Sequence, residues 1–107
     1  MKVDLNKQVK NLGGEEIPGD SNNLGKIVAN QLAYSSSGPL VKFMDWARDL
    51  HKGNPIEVDR TDSGVLRAFV EGSNLPNLTK EQALDVIDEA AKKTEVPAAS
   101  NKSRNRN

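Results

Sequence analysis

Apolar residues at a spacing of two open the chain and predict an N-terminal strand. Over residues 2–10 they alternate with polar residues, which is the pattern of a strand with one buried face. The apolar members are Val3, Leu5 and Val9. Gly13 and Gly14 follow, and paired glycines tolerate the positive φ of a tight turn. The pattern therefore predicts a β-hairpin whose short second strand covers residues 15–17.

Four later segments repeat apolar residues three or four positions apart, which predicts four helices. The inward positions are Leu24, Ile27, Val28 and Leu32 in the first helix, Leu40, Phe43, Met44, Ala47 and Leu50 in the second, Val65, Leu66, Phe69 and Val70 in the third, and Ala83, Leu84, Ile87, Ala90 and Ala91 in the fourth. Residues 56–58 lie between the second and third helices, either as a short strand added to the hairpin or as an extended connection.

Polar residues before these helices predict the caps of their first turns. The candidates are Ser21, Asn22 or Asn23 for the first helix, Thr61, Asp62 or Ser63 for the third, and a capping box of Thr79 and Gln82 for the fourth. From residue 94 onward only Val96 offers a side chain that could pack, so residues 94–107 are predicted to be a flexible tail. The predicted fold is α+β: one domain over residues 1–93, with an N-terminal β-hairpin packed on three to four helices.

Composition narrows the chemistry available to such a domain. Of 107 residues, 36% are hydrophobic and 28% charged, with 15 basic side chains and 15 acidic ones. The absence of cysteine excludes disulfides, thiolate metal sites and a cysteine nucleophile. No apolar run approaches the roughly 20 residues that span a bilayer, and the chain begins without the apolar segment of a signal peptide. We expect a cytoplasmic protein that does not contact a membrane.

Motifs that suggest catalysis or ligand binding fail on their spacing. Residues 19–27 resemble a phosphate-binding loop, but Ile27 stands where a hydroxyl must reach magnesium. Residues 59–64 resemble the start of a calcium loop, but Val70 stands where the bidentate glutamate belongs. His51 is the sole histidine, at the end of the second helix, where its cationic form suits the helix dipole. The sequence therefore predicts no enzyme, no catalytic residue, no metal and no cofactor.

Trp46 is the candidate for partner binding. It widens the apolar stripe of the second helix, and the favoured interpretation places it at the core edge against the hairpin. The alternative is an exposed anchor, since tryptophan is enriched at binding hot spots. Lys42 and Arg48 flank it and are predicted to share a contact surface with the hairpin edge.

The basic tail suggests a second hypothesis, nucleic-acid binding. Its charges are Lys102, Arg104 and Arg106. They would act with basic residues of the domain, namely Lys42, Arg48, Lys52 and Arg60. No aromatic residue is interleaved with the tail charges to stack on bases, so a solubilising terminus is the favoured interpretation.

Several stretches together resemble short proteins encoded by tailed bacteriophages and prophages. They are residues 1–5 (MKVDL), 11–15 (NLGGE), 24–29 (LGKIVA) and 50–53 (LHKG). The resemblance covers about residues 1–92, implies action in the bacterial cytoplasm and transfers no functional residue. The predicted function is a non-enzymatic protein-interaction module, such as a host-protein modulator, adaptor or assembly factor. Its partner would be a host or phage protein, and it would act as a monomer or homodimer.

Overall fold

A computed structural model describes residues 1–95 as two short strands and four α-helices. They follow the chain in the order β1 (Lys2–Val3), α1 (Leu24–Ala33), α2 (Leu40–His51), β2 (Ile56–Glu57), α3 (Arg60–Glu71) and α4 (Asn77–Glu95), with a turn of 3-10 helix at Asp20–Asn22. The α+β fold, with antiparallel pairing at the N-terminus and four helices, is confirmed. Residues 94 and 95 extend α4, and the remainder of the predicted tail lies outside the described residues.

The two strands form an antiparallel ladder that joins distant parts of the chain. Lys2 lies opposite Glu57 and Val3 opposite Ile56. The Met1 ammonium donates to the Val58 carbonyl at 2.8 Å, and the Val58 N–H donates back to the Met1 carbonyl at 2.9 Å. Residues 56–58 are therefore paired with the N-terminal strand and are more than a connection. Burial of Val3, Ile56 and Val58 on one side stabilises this pairing.

The predicted turn at the paired glycines is present, although the first predicted strand is interrupted. Gly14 has φ 88, and across the turn the Ile17 N–H donates to the Val9 carbonyl at 2.8 Å. Pairing here is a single bridge, between Lys10 and Glu16. Before it, the chain bends after β1, so the extended ladder lies between β1 and β2. The interruption keeps Val3, Leu5 and Val9 all buried, as their spacing predicted.

Gly25 lets the start of α1 approach two other segments closely. Its N–H donates to the Leu5 carbonyl at 2.8 Å. A Cβ at this position would lie 3.0 Å from the Leu50 carbonyl oxygen and 3.3 Å from that of Leu5. Asn23, one of the three predicted caps, accepts from the Lys26 N–H at 3.1 Å. This close approach fixes the N-terminal segment against α1 and the end of α2.

The helices form two pairs that the strands connect. The α1 helix packs on α2 and α3 packs on α4, while β1 lies against α4 and β2 against α2. Arg67 joins the second pair, with its Nε 3.0 Å from Asp88 and its Nη1 2.8 Å from Glu71. Both carboxylates raise the pKa of Arg67, mainly through the hydrogen bond with Asp88.

The buried apolar side chains confirm most inward predictions, with Leu40 and Val65 as exceptions. The buried set is Val3, Leu5, Val9, Leu24, Val28, Ala29, Leu32, Phe43, Trp46, Ala47, Leu50, Ile56, Val58, Leu66, Val70, Ala83, Ile87 and Ala90. Leu40 is exposed because the loop before α2 leaves a cavity beside the first turn instead of a packed element. Val65 lies at the exposed edge of the α3 stripe.

Two predicted caps are wrong because the helices begin earlier than expected. In α3 the cap is Asp59, whose carboxylate accepts from the Asp62 N–H at 2.7 Å. In α4 the Lys80 N–H already donates to the Pro76 carbonyl at 2.9 Å, so Thr79 lies buried inside the helix. The side chain of Gln82 is consequently free to bind another segment.

Candidate functional site

A groove of about 770 Å³ lies between α2 and β2, and we call it the α2–β2 groove. Its floor and rim are apolar, and its walls carry carboxylates. It is lined by Pro39, Leu40, Val41, Lys42, Asp45, Trp46, Asp49, Ile56, Glu57 and Asp62.

Trp46 forms the floor of the groove and belongs to the core. It is 6% exposed and stacks on Phe43, with ring centroids 5.8 Å apart and an interplanar angle of 28°. Phe43 in turn makes an edge contact with Phe69 at 5.0 Å. The favoured interpretation, a core-edge tryptophan, is confirmed. The alternative of an exposed anchor is wrong, because aromatic stacking holds the ring inside.

The rim of the groove carries apolar side chains that the fold leaves in solvent. Leu40 is 75% exposed and Val41 72% exposed, both in the first turn of α2. Pro39 caps this turn without a side-chain hydrogen bond, because proline carries no polar side-chain atom. A single exposed apolar residue is ordinary, but these two are neighbours and line the same groove as Trp46. A ligand in the groove would bury them, which is favourable.

Four carboxylates and one lysine set the charge of the walls. Lys42 Nζ lies 2.6 Å from Asp62 Oδ1, and this hydrogen bond raises the pKa of Lys42. The Met1 ammonium lies 2.8 Å from Glu57 and lowers the pKa of that carboxyl. These contacts leave two carboxylates on α2 for a ligand.

Those two carboxylates are Asp45 and Asp49, one helical turn apart on the groove side of α2. The Asp45 carboxylate is 3.9 Å from Arg48 Nη1, in a pair whose side chains are both more than half exposed. Asp49 makes no ion pair within residues 1–95. A cationic ligand would therefore meet little competition from the fold.

Two other large cavities of the described chain are balanced in charge or uncharged. One of about 700 Å³, beside α4, has Lys7 and Lys10 facing Glu16 and Asp85. Another, of about 470 Å³, is lined only by uncharged residues, among them the exposed Tyr34. The α2–β2 groove thus differs from them by its excess of acid.

The structure brings two of the three predicted partner-binding residues together at the groove. Lys42 lies in its wall and Trp46 in its floor, whereas Arg48 is not among the lining residues and is exposed beside Asp45. The predicted nucleic-acid residues Lys102, Arg104 and Arg106 lie outside the described residues.

Sequence reasoning missed the rim and the outer wall of the groove. Val41, Asp45 and Asp49 recur every four positions on α2, and this periodicity could have identified a shared face. The wall formed by β2 had no local signal, because its position follows from pairing with β1.

The other side chains that could act in catalysis or metal binding do not come together in residues 1–95. His51 is exposed in the last turn of α2, and no group of three histidine or acidic side chains in residues 1–95 is placed to hold a metal ion. No helix in the described part of the chain has the length and apolar character needed to cross a membrane. A comparison of the chain with family models, curated proteins and solved structures gives no match.

Proposed function

We propose that this chain is a protein-interaction module whose α2–β2 groove binds a partner segment that carries apolar and basic side chains. The observation that carries the proposal is that the exposed Leu40 and Val41 line the same groove as Trp46, beside the carboxylates of Asp45 and Asp49. Apolar contacts would supply most of the affinity, because burial of such surface is favourable. The carboxylates would select basic over acidic partners.

Wider aspects of the function remain predictions. They are an origin in a phage or prophage, action in the bacterial cytoplasm, and a role as host-protein modulator, adaptor or assembly factor. Action as a monomer or homodimer is also a prediction. The groove supports a binding role in any of these settings.

The nucleic-acid hypothesis also remains a prediction, with less support from the folded part. Lys42 is held by Asp62, and Arg48 lies beside Asp45, so neither cation is clear of a neighbouring carboxylate. Carboxylates in the groove would repel phosphates. This hypothesis predicts that the full chain binds mixed-sequence DNA with an affinity that falls steeply as salt rises.

The direct test uses Trp46 as an intrinsic reporter, since it is the only tryptophan and lies in the floor of the groove. The full chain is titrated with three short peptides. The first contains leucine and lysine, the second leucine and glutamate, and the third serine and lysine. We expect the leucine–lysine peptide to change the Trp46 fluorescence and bind most tightly. Equal binding of the acidic and basic amphipathic peptides would contradict the proposal.

Matched variants locate the peptide on the molecule. Val41→Ser and Asp49→Asn should each weaken the leucine–lysine peptide by about three- to tenfold, since an apolar contact or an exposed charge pair contributes about 1 kcal/mol. Tyr34→Ser is the control, because Tyr34 is also highly exposed but lines a different cavity. An equal loss in Tyr34→Ser would place the binding elsewhere. Circular dichroism should show all three variants folded, since each side chain lies on the surface.

A further inference from the structure

We infer that the chain's own basic C-terminal segment, residues 96–107, docks in the α2–β2 groove and competes with the partner. This inference rests on the proposed function, because the segment acts as an internal substitute for the partner's basic segment. Its composition fits the groove: a short apolar stretch comes first and three cations follow, with no acidic residue. The apolar members are Val96, Pro97, Ala98 and Ala99, and the cations are Lys102, Arg104 and Arg106.

The segment starts close to the groove. Lys93, in the last turn of α4, lines the same surface cavity as Lys2 of β1. Lys2 lies opposite Glu57 in the ladder, and paired strands are about 4.8 Å apart. Glu57 is itself a wall residue of the groove. The cavity beside α4 and the two-stranded ladder therefore separate the end of α4 from the groove.

The segment is also long enough to follow the groove. Its twelve residues span up to about 40 Å when extended, at roughly 3.3–3.6 Å per residue. Attachment to the same chain gives it an effective concentration in the millimolar range. Contacts too weak to hold a separate peptide can consequently keep a tethered one in place.

Charge favours the groove over the surface nearest to the segment. The cavity shared by β1 and α4 has three cations facing three carboxylates, namely Lys2, Lys7 and Lys93 with Asp4, Asp85 and Glu89. The groove instead presents Asp49, which makes no ion pair within residues 1–95, and Asp45, whose pair with Arg48 is long at 3.9 Å and exposed to solvent. A segment with three cations and no acidic residue is therefore attracted more to the groove than to the cavity shared by β1 and α4.

A spin label on the segment tests the contact in the full chain. The natural sequence has no cysteine, so Ser103→Cys provides a single labelling site. We expect the label to attenuate the amide NMR signals of Val41, Asp45 and Asp49 at low salt. The attenuation should disappear at about 0.5 M salt, where screening confines charge interactions to a few ångströms. Attenuation that avoids these amides would overturn the inference.

Charge variants separate a specific contact from general attraction. In the labelled chain, Asp45→Asn with Asp49→Asn should abolish the attenuation, as should Lys102→Gln with Arg104→Gln and Arg106→Gln. The control pair Asp85→Asn with Glu89→Gln removes the same charge from α4 and should leave it unchanged. Loss of the signal in the control pair would show a diffuse electrostatic attraction and reject the groove as the docking site.

Competition is tested with the leucine–lysine peptide. Neutralising the three cations of the segment should tighten peptide binding about three- to tenfold, because the tethered competitor is removed. Equal peptide binding by the two chains, without attenuation at the groove, would overturn this inference and leave the proposed function standing. Attenuation at the groove with no peptide binding to either chain would overturn the proposed function and the competition together.

Discussion

On the face formed by the N-terminal segment and α4, side-chain amides satisfy the main chain. The Lys10 N–H donates to Gln82 Oε1 at 2.8 Å, and Gln82 Nε2 donates to the Lys10 carbonyl at 2.7 Å. Gln8 Nε2 similarly donates to the Ile17 and Gly19 carbonyls. At the α2–β2 groove, by contrast, the first turn of α2 has no side-chain cap and its apolar residues face solvent.

The difference shows two uses of surface residues. On the α4 face, polar side chains bind the main chain and maintain the fold, whereas the side chains of the groove remain available to a ligand. A side-chain amide that binds the N–H and the carbonyl of an extended residue makes the hydrogen bonds that a neighbouring strand would make. Few hydrogen-bonding groups then remain for a ligand. Exposed apolar side chains beside carboxylates that are unpaired or only weakly paired, as Asp49 and Asp45 are, do the opposite, because their burial by another segment is still favourable. Three changes test this contrast.

The largest effect is expected at Gly38, which immediately precedes the groove residue Pro39 and lies against the core ring of Phe43. This residue has φ 92, and a Cβ there would lie 2.5 Å from Phe43 Cε2. Gly38→Ala should destabilise the protein by about 2–4 kcal/mol, from the positive φ and the overpacked ring. Urea denaturation followed by Trp46 fluorescence measures the change.

Gly64→Ala provides the matched control for Gly38. Gly64 lies within α3 with nothing within 4 Å of the added methyl group. This substitution should raise stability by up to about 1 kcal/mol, because alanine favours the helix. Similar stabilities for the two variants would show that the ring of Phe43 adjusts and that the floor of the groove is not rigid.

An intermediate effect is expected from the amide that closes the opposite face. Gln82→Ala removes both hydrogen bonds to Lys10 and should cost about 1–2 kcal/mol. Its exposed neighbour Glu81 serves as the control, and Glu81→Ala should change the thermal midpoint little. Faster hydrogen exchange of the Lys10 amide in Gln82→Ala alone would confirm the cause, and unchanged exchange would contradict it.

The smallest effect is expected at Glu57, where the groove meets the ladder. The ammonium of Met1 lowers the pKa of this carboxyl from its ordinary value of 4.5. The ionised form therefore contributes stability above about pH 4.5, and this contribution is lost as pH falls through the lower folded pKa. Glu57→Gln should be less stable than the natural chain near neutral pH, and the difference should shrink at about pH 3. A difference that is constant with pH would exclude an ionic origin.

Local patterns in the sequence predicted the fold well. Spacing identified all four helices, the inward side chains of the N-terminal segment and the turn at Gly13 and Gly14. Errors arose where one residue had two possible partners. Gln82 suited a capping box by its spacing from Thr79, but it binds Lys10, a residue 72 positions away.

The candidate site was only partly predictable for the same physical reason. Lys42 and Trp46 were identified from α2 alone, because residues four positions apart lie on the same face of a helix. Leu40 was assigned to the core, since periodicity does not show where a neighbouring element ends. Ile56 and Glu57 enter the groove through their register with β1, and no local spacing encodes that register.

The pairing of β1 with β2 also has a consequence for how the protein becomes able to bind. Contacts between residues 56 positions apart form late and slowly, because a long loop must close before they stabilise anything. The α1–α2 pair can assemble from neighbouring sequence during synthesis, but the β2 wall stays unfixed until the N-terminal residues return to it. Partner binding at this groove would then distinguish a fully folded chain from one in which only the local helix pairs have formed.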